Sequence, residues 1–136
     1  MNLRKARLPV LVLGLSGLFL FRFAVSQDVP PEIGKLEAYV QGHPNQAESW
    51  VRLGFLYFQA GDSDKARTAF EKVLSLEPGR LTAWYQLGLI YEKQERWGQA
   101  ETAWEKVLQQ SQNERLRHIA KKHLARVQML LEKGLR

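Results

Sequence analysis

At 136 residues with 45% hydrophobic content, the chain is long enough for one compact domain and an appendage. It has no cysteine, which excludes disulfides, thiolate catalysis, iron–sulfur clusters and zinc–thiolate sites together. The net charge of +6 is unevenly placed. Residues 1–26 hold four basic groups and no acid, residues 27–114 hold nine basic and thirteen acidic groups, and residues 115–136 hold seven basic groups against Glu132 alone. A mildly acidic body between basic ends argues against nucleic acid as a partner.

Residues 1–26 read as a signal peptide or signal anchor. Arg4, Lys5 and Arg7 precede an uncharged apolar run of 14 residues from Leu8 to Phe21, and the small residues Ala24 and Ser26 stand just ahead of Gln27. That run matches a signal-peptide core. Continued through Val25, with Arg22 snorkelling, it reaches about 18 residues, enough to cross a bilayer. More positive charge precedes the run than follows it, which sends the remainder outward. The expectation is a membrane-anchored chain whose C-terminal domain is exported to the periplasmic or extracellular side, or a secreted chain cut near Ser26.

Residues 27–46 read as a linker and a degenerate leading half-repeat helix. Pro31 suits a first helical turn and Gly42 a helix end. Leu36, Tyr39 and Val40 supply its apolar stripe, and Pro44 closes it. Asn45 with Glu48 has the spacing of a capping box that opens the next helix.

From there the chain repeats itself at a spacing of 34. Trp50 matches Trp84, Leu53 and Gly54 match Leu87 and Gly88, Tyr57 matches Tyr91, Ala66 matches Ala100, Phe70 matches Trp104, and Glu-Lys-Val-Leu at 71–74 recurs at 105–108. A fixed period of this size means stacked supersecondary units. Trp50, Leu53, Gly54 and Tyr57 recur every three or four residues and form one stripe of a helix, while Ala66, Phe70, Val73 and Leu74 form the facing stripe of a second. Between them Gly61 supplies a stop and Asp62 an N-cap, so each unit is a helical hairpin. Gly54 weakens its helix by up to about 1 kcal/mol, and the expected return is a close approach between helices.

These residues resemble the tetratricopeptide repeat, whose pattern W-x2-L-G-x2-Y…A-x3-F…P is met by Trp50, Leu53, Gly54, Tyr57, Ala66, Phe70 and Pro78. The second copy departs twice, with Trp104 for the phenylalanine and Gln112 where the closing proline would stand. The resemblance implies an all-α, right-handed superhelical stack of hairpins, an α-solenoid, with repeats at 47–80 and 81–114. It also implies that the inner side of each first helix lines a concave groove. Those positions are Val51, Phe55, Phe58 and Gln59, then Tyr85, Leu89, Glu92 and Lys93. They are mainly apolar, so the expected ligand is an apolar or amphipathic segment of a partner protein.

Residues 115–136 read as a basic capping helix. Leu116, Ile119, Ala120, Leu124, Val127 and Leu131 form its apolar side. Arg115, His118, Lys122, Arg126 and Lys133 form a broad outer face suited to anionic lipid headgroups or an acidic partner. No nucleotide-binding, serine-hydrolase or metalloprotease motif occurs, and His118 and His123 stand five apart, on different sides of a helix. No catalytic residue, metal or cofactor is expected. The leading expectation is a protein–protein interaction adaptor at or beyond a membrane. The alternative is a structural module of a membrane-associated assembly without a dedicated groove, serving self-association or complex biogenesis, similar to the exported assembly factors of c-type cytochrome maturation.

Overall fold

The structure, a computed structural model, describes residues 30–134, so the expected signal or anchor over residues 1–26 lies outside the described residues. Among those described, six helices follow one another with no strand: α1 Pro31–Gly42, α2 Ala47–Gln59, α3 Ser63–Leu76, α4 Leu81–Lys93, α5 Trp97–Gln110 and α6 Glu114–Gly134. None of them is long and apolar enough to cross a membrane.

The hairpins α2–α3 and α4–α5 close on their glycines. A Cβ added to Gly54 would lie 2.8 Å from the Phe70 ring, and one added to Gly88 would lie 2.7 Å from the Trp104 ring. Both rings are fully buried. The absent side chain is therefore what lets each first helix rest on the aromatic ring of its partner. Trp50 and Trp84 act elsewhere: their indole N–H groups donate to the carbonyls of Pro44 at 2.9 Å and Pro78 at 2.8 Å. The proline that ends one unit thus also clips the head of the next. Tyr57 and Tyr91 reach back to the helix before, donating to Glu37 and, at 2.9 Å, to Glu71. Burial first, and then the Glu71 hydrogen bond, push the Tyr91 phenol up to about 12; burial and Glu37 raise that of Tyr57.

The turn inside each hairpin needs one left-handed residue. Gly61 takes it at φ 82°, and Glu95, one repeat on, takes it at φ 56°. Asp62 caps α3 by accepting from the Lys65 backbone N–H at 3.0 Å. The capping box expected at Asn45 and Glu48 is absent. Gln46 is the N-cap of α2 and makes no side-chain capping bond, while Glu48 pairs with Arg80 at the head of α4. Arginine offers the carboxylate a charged partner, which a backbone N–H does not.

Both ends of the stack depart from the repeat. In α1 the buried residues are Ile33 and Val40, while Tyr39 is 41% exposed, stacked on His43 and hydrogen-bonded to Gln46. The helix keeps the register of α3 toward the helix that follows it, through Glu37 with Tyr57 as through Glu71 with Tyr91, and its buried side goes to α2. The second repeat lacks its closing proline, and the exit is held otherwise. Asn113 caps α6 through the Leu116 N–H at 3.1 Å, and the Arg117 guanidinium donates to the Leu108 carbonyl at 2.6 Å.

Helix α6 stands where the first helix of a third repeat would stand. The tryptophan, leucine, glycine and tyrosine of the stripe become His118, Lys121, Lys122 and Ala125, all exposed. Ala120 and Val127 remain fully buried on the preceding helix pair. Ile119, expected on the buried side, is 37% exposed. The helix keeps the face that packs backward and makes polar the face that would accept another hairpin.

Candidate partner-binding groove

Two steps of 34 carry each inner position of α2 onto α4 and then onto α6. The rows are Val51, Tyr85 and Ile119; Phe55, Leu89 and His123; Phe58, Glu92 and Arg126; and Gln59, Lys93 and Val127, the last of them fully buried. Contacts between α4 and α6 climb both helices together: Tyr85 adjoins Leu116, and Glu92 adjoins His123 and Arg126. The two helices therefore run parallel, side by side.

The first row corrects one expectation. Val51 is only 5% exposed and belongs to the core. Its short side chain ends among its neighbours, whereas the longer Tyr85 emerges in part and meets the Trp104 ring edge-on at 5.4 Å. Phe55 meets Phe70 in the same way, at 5.4 Å. Phe55, Phe58 and Leu89 pack against the core yet remain partly exposed, and Gln59 and Lys93 are exposed. Helix α1 is tied to α2 through Glu32 with Arg52 and Glu37 with Tyr57.

Glu92 corrects a second expectation, since its side chain is only 10% exposed. One carboxylate oxygen accepts from the Trp104 indole N–H at 2.6 Å and lies 2.7 Å from His123 Nδ1, and the other lies 3.8 Å from Arg126. His123 also stacks on Trp104, with ring centroids 4.5 Å apart. Trp104 brings a polar N–H into a place where Phe70 brings none. A buried indole N–H requires an acceptor, and Glu92 is within reach. The carboxylate is thus committed inside the protein rather than offered to a ligand.

The third column of the groove, Ile119, His123 and Arg126, was not assigned to it from sequence, although the same 34-residue step extended past residue 114 picks it out. Of the expected basic outer face, Arg115, His118, Lys122, Arg126 and Lys133 are all exposed, but Arg126 stands on the inner side, beside Glu92 of α4. Among the described residues no cluster of His, Asp and Glu is arranged to hold a metal ion.

The tetratricopeptide-repeat family model matches residues 51–115, and the fold matches the crystal structure of the P58(IPK) TPR domain with a TM-score of 0.69. Residues 51–115 carry tetratricopeptide repeats. That structural match has 22% sequence identity and covers 86% of this chain but 33% of the other, so the chain spans about a third of that TPR protein and shares its fold. No curated protein matches the sequence. In a TPR array the parallel first helices form the inner wall, and α2, α4 and α6 hold that place here.

Proposed function

We propose that this TPR protein is an interaction scaffold whose groove takes an apolar or amphipathic segment of a partner, at or beyond a membrane. The observation that supports it is the run of partly exposed apolar side chains Phe55, Phe58, Tyr85 and Leu89 along the inner sides of α2 and α4. Aromatic and aliphatic anchors half-sunk in a rigid wall are the surfaces on which binding energy concentrates. Capture of partners by the full chain, followed by calorimetric titration of each, tests the reading. Phe58→Glu should weaken a groove partner at least about tenfold with helicity unchanged. Affinity equal to that of the parent places the partner elsewhere and removes the groove reading.

The membrane setting rests on the sequence of residues 1–26. A reporter active only outside the cytoplasm, fused after Arg136, should work. Sequencing of the mature N-terminus distinguishes a cut before Gln27 from an intact anchor. A second reading draws on the exposed basic face of Arg115, Lys122, Arg126 and Lys133, which suits anionic headgroups in a membrane-associated assembly. Equal flotation with neutral and anionic vesicles would leave that face merely solvated.

A further inference from the structure

The valley between α4 and α6 has a feature at each end, and together they specify a ligand. We infer that this valley selects an acidic amphipathic segment of a partner protein, seating an apolar side chain at one end and holding a carboxylate with Arg126 at the other. The inference rests on the groove reading above and names the chemistry of its ligand.

At the apolar end a notch of about 230 Å³ opens between Leu81, Thr82, Tyr85 and Leu116. Three of those four residues present hydrocarbon or an aromatic ring, and Ile119, one turn along α6, extends the same strip with 37% of its surface exposed. A large aliphatic or aromatic side chain suits such a recess. Arg126 lies ten residues beyond Leu116 on the same helix, about 15 Å along it at 1.5 Å per residue. The two features are thus a short peptide segment apart.

Arg126 is 64% exposed, and its nearest carboxylate is committed elsewhere. One oxygen of Glu92 is engaged by Trp104 and His123, and the other, at 3.8 Å from the guanidinium, is beyond direct hydrogen-bond distance. Glu92 therefore steadies the arginine without occupying its donor fork, which matches a carboxylate bidentately. Two further exposed cations lie on the same two helices. Exposed Lys93 ends α4, Lys122 lies one turn before Arg126, and Glu132 is the only acid beyond Glu114. The neighbouring valley between α2 and α4 has Phe58 and Glu92 at the equivalent positions, so the arginine belongs to the α4–α6 valley alone.

Panning a phage-displayed random peptide library on the full chain in detergent tests the assignment. The parent should enrich peptides that pair a large apolar residue with Asp or Glu. Arg126→Glu should abolish the acidic preference and weaken the enriched peptides at least about tenfold, an effect expected for removing a charge-assisted pair. Leu116→Asp should abolish the apolar preference while leaving the acidic one. Circular dichroism checks that Arg126→Glu and Leu116→Asp both fold. Apolar peptides enriched without acidic bias overturn this inference and leave the groove reading standing. An equal effect of Lys133→Glu and Arg126→Glu also overturns it, because the selection is then a general field. No enrichment by the parent overturns both.

Discussion

The two TPR hairpins have the same backbone plan and fill it with different chemistry. Phe58, Phe70 and Leu89 occupy one inner position of the stack, and Glu92, Trp104 and His123 occupy its equivalent 34 residues on. The first set is apolar throughout. In the second, the indole N–H needs an acceptor, the acceptor is a largely buried carboxylate, and the carboxylate needs a further donor, which His123 provides, with the Arg126 charge 3.8 Å away. A repeat thus fixes where a side chain sits but not what it must satisfy. One polar atom introduced at Trp104 is accompanied by compensating residues on two other helices.

Truncation at the shared ring position breaks the comparison most sharply. Phe70→Ala should destabilise the protein by roughly 3–5 kcal/mol through cavity formation. Trp104→Ala should exceed it, since it also removes a hydrogen bond from the committed carboxylate of Glu92 and the stacking partner of His123. Denaturant unfolding of both variants measures the difference. Equal losses would mean that the polar network adds nothing to packing.

The glycines beneath those rings should differ too. At Gly88 the crowded atoms are Cε2, Cδ2 and Cζ2 of Trp104, two of them at the ring fusion, so relief requires the whole indole to move. At Gly54 they are Cζ and the two Cε atoms of Phe70, the far edge of a smaller ring. Gly88→Ala should therefore destabilise by roughly 1–3 kcal/mol, and Gly54→Ala by less, after the gain in helix propensity is offset. Thermal midpoints in which Gly54→Ala falls further would reverse this account.

The hairpins, their glycine contacts and the Asp62 cap were legible in the sequence because each follows from a residue type at a fixed spacing. Features that depend on which neighbour is missing were not. Tyr39 sits on an apolar stripe by spacing, at the place Val73 holds in α3, but no first helix among the described residues covers it and it is exposed. Glu92 reads as a groove acid by position. Only the closeness of Trp104 and His123, from two other helices, shows that it is already engaged. Val51 and Tyr85 hold one position with different side-chain lengths, and length decides which of them reaches the surface.

The two stripe tyrosines give a smaller, pH-dependent comparison. The phenol of Tyr91 in the fold, at about 12, lies above the unfolded value near 10, so the fold favours its neutral form. That contribution is complete below about pH 10 and is lost as the pH rises from there through about 12. Tyr57 is shifted in the same direction by burial and Glu37, so it adds to the same alkaline loss. Tyr91→Phe should destabilise by about 1 kcal/mol at neutral pH and flatten the alkaline fall. Tyr57→Phe should destabilise slightly more. Glu71 keeps Arg67 at 3.2 Å, whereas Glu37 keeps only Lys65, at 3.8 Å. Melting curves across the alkaline range follow both effects, and a Tyr91→Phe variant with an unchanged alkaline fall would show that Tyr91 does not contribute to it.

The smallest expected effect lies in the turns, where the second hairpin carries a strain that the first avoids. Gly61 and Glu95 occupy the same left-handed position, at φ 82° and 56°. Side chains other than glycine lose roughly 1–2 kcal/mol in that conformation. Glycine loses more chain entropy on folding, about 0.5–1 kcal/mol, which offsets part of the gain. Glu95→Gly should therefore stabilise the protein by roughly 0.5–1 kcal/mol, while Gly61→Ala should destabilise it by about 1 kcal/mol. A Cβ at Gly61 meets nothing within 4 Å, so any loss there comes from the backbone and not from crowding. The pair of variants thus isolates the turn from the packing that separates the repeats elsewhere. If Glu95→Gly leaves the unfolding midpoint unchanged or lowers it, then the glutamate makes a favourable interaction equal to its strain, and the two turns are energetically alike despite their different residues.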